Sequence, residues 1–362
     1  MRLIILPTDG VAPILAALKG AKKSIEIAIF RFDRKDLEAA LKAAVAKGVR
    51  VTALIAFANR GGEASLRKLE LRFLAAGIIV ARTSGDLTRY HDKFMVVDRR
   101  VLYLLSTNFT RLDIDHSRGF GVVTTRANWV SEARRLFRAD CSRATYSPKT
   151  ETFVVSPENA RKSLAAFLLR ARKELLIYDP QITDRDMIRL LKEREKAGVT
   201  IRIIGKVSGR VQLDVQRLEG TRLHTRTIIR DRRQAFIGSQ SLRAPELDSR
   251  RELGLIIQDA KAVNKLIDQF ESDWVPKRSI KARAIKEEAA VASAKESAKA
   301  VKVLAKDLSP IVSDMKKAVK QAVAKAGEEV LHDKGVKDTM KKVVKKAVKD
   351  AVREAVQESK KP

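Results

Sequence analysis

Tyr90–Gly121 reads YHDKFMVVDRRVLYLLSTNFTRLDIDHSRGFG, and 133 positions later Leu223–Gly254 reads LHTRTIIRDRRQAFIGSQSLRAPELDSRRELG. The offset carries His91 onto His224, Lys93 onto Arg226, Asp98 onto Asp231, Ser106 onto Ser239, Asn108 onto Ser241 and Arg118 onto Arg251. One polar site is written twice. In each copy a His and a cation stand two residues apart just ahead of an apolar run, Phe94–Val97 or Thr227–Ile229, which predicts a buried strand. A period of two aims His91 and Lys93 at one face of that strand. An imidazole beside a fixed cation and small hydroxyl or amide donors suits a phosphate, with the cation on the oxygens and the ring as nucleophile or proton carrier. Neither copy alone supplies both a nucleophile and a separate acid.

Working outward, AKKSIEIAIF from Ala21 returns as ARKELLIYDP from Ala171, and GVRVTALI from Gly48 as GVTIRIIG from Gly198, now at an offset of 150. The second half has therefore lost 17 residues between its third strand and its His motif. In the first half that interval holds Asn59–Gly62 and a helix-like run, Ser65–Ala76. Strands are predicted at Leu3–Leu6, Ser24–Phe30 and Val49–Ala56, and helices at Val11–Lys19 and Lys35–Ala46, the second ending at Gly48 where a C-terminal glycine belongs. The expected fold class is α/β: two duplicated halves, 1–147 and 148–276, each a mixed or parallel sheet flanked by helices. Residues 277–362 form a third region rich in Ala, Lys and Val, with Val312, Met315, Val319, Val323, Ala326 and Val330, and then Val344, Val348, Val352 and Val356, at helical spacing. That region reads as a basic amphipathic helical tail.

With H-x-K-x4-D followed by Ser and Asn in one half, and His224, Asp231, Gly238, Ser239 and Glu252 in the other, the chain resembles two-motif members of the phospholipase D superfamily over roughly residues 1 to 276. The resemblance implies a shared cleft between the halves and a two-step displacement through a phosphohistidine. It implies catalytic roles for His91, His224, Lys93, Arg226 and Glu252, and phosphate binding by Ser106, Asn108, Ser239 and Ser241. Asp98 and Asp231 read as structural supports at the turn after the strand. No metal and no other cofactor is implied. Glu252 lies 28 residues after His224, where the family places an acid that orients the imidazole. Gly119 occupies the equivalent slot in the first half, so His91 is expected to lack its orienting acid unless Asp113, Asp115 or another residue supplies one. Arg226 exchanges a compact ammonium for a planar fork, which is not conservative at a tight phosphate site. The family tendency makes His91 the nucleophile and His224 the acid; spacing alone leaves that open.

The 362 residues carry a formal net charge of +30 and a pI near 10.3, which predicts a polyanionic partner. The tail holds 23 basic and 12 acidic residues, so +11 lies there and +19 in the two halves. The expected partners are a phosphodiester substrate and either an anionic phospholipid surface or nucleic acid, for which Arg60, Arg67, Lys68 and Arg72 form a candidate basic wall. The lone Cys141 rules out an internal disulfide. Leu3–Leu6 is too short for a secretory signal and no run is long enough to span a bilayer, so the expected location is cytoplasmic, with peripheral contact at the inner membrane face. Three functions fit these features: a phospholipid enzyme (phospholipase D or phosphatidyltransferase), a nuclease, and a non-catalytic polyanion binder.

Overall fold

In a computed structural model of the protein, residues 1–57, 63–83, 85–209, 211–274 and Lys317 are described. The chain divides into one unit spanning Met1–Val275 and another spanning Pro276–Pro362. Asn59–Gly62 and the two expected tail helices lie outside the described residues.

The first half runs β1 (Arg2–Leu6), α1 (Ala12–Gly20), β2 (Ser24–Ile29), α2 (Lys35–Ala46), β3 (Arg50–Ile55), α3 (Glu63–Leu74), β4 (Ile79–Arg82), β5 (Arg89–Tyr90), β6 (Phe94–Val97), β7 (Val101–Leu105), α4 (Arg111–Asp115), β8 (Ser117–Thr124) and α5 (Ala127–Ser142). The second follows with β9 (Phe153–Ser156), α6 (Ala160–Leu169), β10 (Glu174–Ile182), α7 (Arg185–Lys196), β11 (Thr200–Val207), β12 (Asp214–Gln216), β13 (Arg222–Leu223), β14 (Arg226–Arg230), β15 (Gln234–Gly238), α8 (Ala244–Asp248), β16 (Arg250–Ile257) and α9 (Ala260–Asp273). The 17-residue difference is the α3 region: between β11 and β12 the second half has no helix among the described residues. Gly48 and Gly198 close α2 and α7 with φ of +83° and +85°, a left-handed position that glycine takes without a Cβ penalty.

Each half builds one mixed sheet, and the two sheets share a strand order: β4-β3-β2-β6-β7-β8-β1 and β12-β11-β10-β14-β15-β16-β9. The β2-β3-β4 and β10-β11-β12 edges are parallel, and the remaining pairings within each order are antiparallel. Period two is visible along β6, where Phe94 and Val96 enter one core cluster and Met95 and Val97 another, so both faces are buried. The first of those clusters joins the halves: it takes residues of α5 and α9 together with strand residues of both sheets, among them Phe120, Phe153, Tyr178 and Phe270. Each such fully buried aromatic contributes about 1.5–3 kcal/mol relative to exposure, so the halves share one core.

Two short strands cross over. β5, just ahead of His91, pairs with β16 of the second half, and β13, just ahead of His224, pairs with β8 of the first. Paired ionic locks reinforce the crossing. Arg118 on β8 meets Asp273 on α9 at 2.7 Å, and Arg251 on β16 meets Asp140 on α5 at 3.1 Å.

Candidate active site

The crossed strands decide which side chains meet. The His91 N–H donates to the carbonyl of Arg251 at 2.7 Å, which brings the next residue of β16, Glu252, against the imidazole. Both Glu252 oxygens lie within 2.8–2.9 Å of His91 Nδ1. By the same symmetry the His224 N–H donates to the carbonyl of Arg118 at 3.1 Å, which puts Gly119 beside His224. The expectation that Glu252 serves His224 and that His91 stands alone is therefore reversed. Spacing along the chain assigns each acid to the His of its own copy; strand exchange assigns it to the other.

His224 has no carboxylate on its Nδ1, a buried atom without a hydrogen-bond partner. Its nearest acid is Asp113, whose Oδ2 lies 3.6 Å from Nε2. Asp113 was a candidate substitute at His91; it lies beside His224 instead, while Asp115 pairs with Arg34 at 2.6 Å. A Cβ at Gly119 would collide with the methyl Cγ2 of Thr107, so the acid slot is filled by a neighbour and is not an empty socket. Asp113 is itself fixed by the N–H and Nδ2 of Asn108 at 3.0 and 2.6 Å and by Arg222 at 2.6 Å.

The cations hook back on their own motifs. Lys93 Nζ donates to the carbonyl of His91, and Arg226 Nη1 donates to the carbonyl of His224 at 2.7 Å. Arg226 Nε also reaches Ser241 Oγ at 3.2 Å. Ser106 Oγ accepts the Phe120 N–H at 3.0 Å, which leaves its hydroxyl hydrogen to point elsewhere, whereas Ser239 Oγ accepts the Leu253 N–H at 3.2 Å and donates to the Leu253 carbonyl at 3.5 Å. Arg226 of the second half acts on His91, and Lys93 of the first half acts on His224, so the two motifs share one electrostatic site.

Burial shapes the protonation. His91 is held well below its ordinary pKa, first by burial and then by the charge of Lys93. His224 is likewise lowered, first by burial and then by Arg226, with Asp113 pulling the other way. Burial pushes Glu252 up to about 7 and Lys93 down to about 7. A neutral His91 whose Nδ1–H donates to Glu252 keeps the Nε2 lone pair for attack.

Asp98 and Asp231 sit at the far ends of β6 and β14. Each lies in the left-handed region with φ of 52° in a tight turn, and each accepts hydrogen bonds from three successive backbone N–H groups: those of Lys22, Lys23 and Ser24, or those of Arg172, Lys173 and Glu174. Of the expected basic wall, Arg67 pairs with Glu70 and Arg72 with Glu38, Lys68 is exposed, and Arg60 lies outside the described residues.

Sequence reading missed four neighbours of His91. Phe30 packs edge-on against the ring with centroids 4.5 Å apart. Arg89 and Arg250 add positive field. Asp92, between the two motif residues, is buried with both oxygens unpartnered, and burial pushes it up to about 6. Only the H-D-K string hinted at Asp92; Phe30 lies 61 residues upstream with no motif around it.

A family profile described as "Cardiolipin synthase, PLD-like domain" matches residues 14–141 and 205–274. The human protein named mitochondrial cardiolipin hydrolase is 30% identical over 172 residues, 47% of this chain and 65% of that protein. This chain spans less than two-thirds of the curated relatives it matches. Among solved structures, the polyphosphate kinase of Porphyromonas gingivalis aligns with a TM-score of 0.63 at 20% identity, covering 75% of this chain and 49% of that one. The phosphatidylserine synthase of Haemophilus influenzae aligns with a TM-score of 0.59 at 11% identity, covering 75% and 86%. At these identities the structural matches speak for the fold, and the family match spans more than half of the sequence. The chain belongs to the phospholipase D superfamily, in the group described by the cardiolipin synthase-type domain.

Proposed function

We propose that the protein is a phosphodiesterase or phosphatidyltransferase that acts on phospholipids through a phosphohistidine on His91. One observation carries this: the imidazole bound through Nδ1 to buried Glu252 lies in the field of the same two cations, Lys93 and Arg226, that act on the second imidazole. His91 Nε2 attacks phosphorus, the bond from phosphorus to the leaving oxygen breaks, and His224 hands its proton to that oxygen. Water or an acceptor alcohol then attacks the phosphohistidine, the P–N bond breaks, and His224 takes the proton back. Lys93 and Arg226 hold the nonbridging oxygens, with Ser106, Asn108, Ser239 and Ser241 around them. An incoming phosphate anion offsets the cationic field that lowers His224 in the free protein and so favours the protonated acid the first step needs. These groups fill every role without a metal, which predicts turnover in the presence of a chelator.

The lipid substrate is supported by the cardiolipin-directed names of the family and of its human relative. Among the described residues no helix is long and apolar enough to cross a membrane, so the proposed contact with lipid is peripheral, through basic surface. The +19 charge of the two halves favours nucleic acid as a second reading. Full-length protein, with chelator present, is tested on cardiolipin vesicles and on plasmid DNA, alongside a His91→Ala/His224→Ala variant. Headgroup release or a new phosphatidyl product, lost in the variant, is expected. DNA cleavage with the same loss would establish a nuclease instead, and binding without turnover on either would identify a non-catalytic binder.

A further inference from the structure

The strongest uncommitted feature lies at the other end of the second-half sheet. A cavity of about 360 Å³ opens between the segment before β9, the outer face of α6, and the ends of β14, β15 and β16. Arg226 begins β14 and Arg230 ends it, so four residue steps, about 13 Å, separate this cavity from the catalytic cations. Lys149, Lys162, Arg170 and Arg230 line it, against one carboxylate, Glu151. Among the described residues none of these four cations is ion-paired with a carboxylate.

Arg230 is the built part of the site. Its guanidinium lies over the Phe167 ring at 4.4 Å, Nη1 donates to the Phe167 carbonyl at 3.0 Å, and Nη2 donates to Gln234. That clamp holds a half-buried cation toward the opening. Burial lowers the pKa of Arg230, the charge of Asp231 opposes that, and the neighbouring Arg170 lowers it again. Phe167, Ala166 and Ile256 supply an apolar wall beside the charges.

The duplication provides an internal control. At the positions of Arg230 and Gln234 the first half has Val97 and Val101, and at those of Lys162, Phe167 and Arg170 it has Ala12, Ala17 and Gly20. The fold forms there without any of these polar groups, so the cluster is not a requirement of the architecture. We propose that this cavity is a second anion site, separate from the catalytic cleft, that takes the phosphate of a small phosphorylated molecule with its apolar part against Phe167 and Ile256. The volume suits a ligand of that size, and a planar guanidinium fork suits phosphate oxygens.

The phosphate has two possible sources, a soluble molecule or a lipid headgroup, and the test separates them. Full-length protein carrying Lys93→Met and Arg226→Gln, which disables the catalytic phosphate cradle, is titrated with inorganic pyrophosphate by calorimetry and with phosphatidic acid vesicles by sedimentation. Saturable one-to-one binding of pyrophosphate is expected. The added pair Lys162→Glu/Arg170→Glu, both exposed residues whose change spares the fold, should weaken it by roughly tenfold or more. Arg230→Gln should do the same while circular dichroism stays unchanged. Binding only to vesicles, weakened by the same variants, assigns the site to a lipid headgroup. Binding of both probes that none of these variants alters, or no binding of either, overturns the proposal.

Discussion

The two halves have the same strand order, the same crossed edge and the same turn aspartate, and they differ at the slot beside the histidine. His91 receives Glu252 from the second half, whereas His224 receives Gly119 from the first, with the Thr107 methyl packed where an acid's Cβ would go. The features that hold the duplicated scaffold are repeated; the group that tunes the imidazole is not. In the proposed two-step displacement the two histidines need different properties, one a free lone pair and the other a transferable proton. The asymmetry falls on the residue that sets them.

The sharpest way to break this comparison is to vary the leaving group. His224→Ala should lower turnover of a phosphodiester with a poor leaving group by about 10²–10⁴-fold, the usual contribution of a general acid. It should lower turnover of a p-nitrophenyl phosphodiester far less, because that alcohol departs without a proton. His91→Ala should abolish both. Rates measured on both esters check this, and the opposite pattern would exchange the two roles.

The ionic locks differ in redundancy. Arg251 meets both Asp140 and Glu158, at 3.1 and 2.6 Å, whereas Arg118 has Asp273 as its carboxylate partner and otherwise the Leu6 carbonyl. Asp273→Ala should therefore destabilise by about 3–5 kcal/mol, the loss expected when one partner of a buried pair is removed. Asp140→Ala should destabilise by less, since Arg251 keeps Glu158. Urea denaturation of both variants measures the difference, and equal losses would show that the locks are equivalent.

A pH-dependent effect concerns Lys93. Burial lowers its folded-state pKa to about 7 from 10.5, so between those values the unfolded chain binds more protons than the folded one and stability rises with pH. Below about 7 the buried charge is present in full. Lys93→Met should raise Tm at pH 6, by about 2–4 °C per kcal/mol removed, with the gain shrinking toward pH 10. Glu252, pushed up to about 7, is mainly protonated at pH 6, so no bare carboxylate opposes that gain. Thermal scans at both pH values, with activity measured in parallel, check it.

Much of this architecture was legible in the chain itself. The repeats at offsets of 133 and 150 located β2, β3, β6 and their counterparts, since buried strands leave an apolar run that short polar turns bracket. The 17-residue gap located α3, a helix without a counterpart among the described residues of the second half. The site's members were visible as repeated polar letters, but their partnerships were not. Glu252 follows His224 by 28 residues and touches His91 across 161, because β5 and β16 pair between halves and no local pattern encodes a pairing of two-residue strands. Phe30 escaped for the same reason, an aromatic at a strand end whose relevance appears only once β2 lies beside β6.

The crossing of β5 and β13 has a consequence for how such a protein is assembled. Each histidine is presented by one half and oriented, or left unoriented, by the other, so the molecule is in effect a dimer fused into one polypeptide. The bridge between the halves, residues 143–152, keeps the two at high effective concentration, besides packing Tyr146 into the shared core. Two separate chains divided there would each be inactive and would regain a complete centre on meeting, which makes this scaffold a natural split reporter. Fusion has also freed the two copies to diverge: in a true homodimer a glycine at one acid slot would appear at both, and here it appears at one.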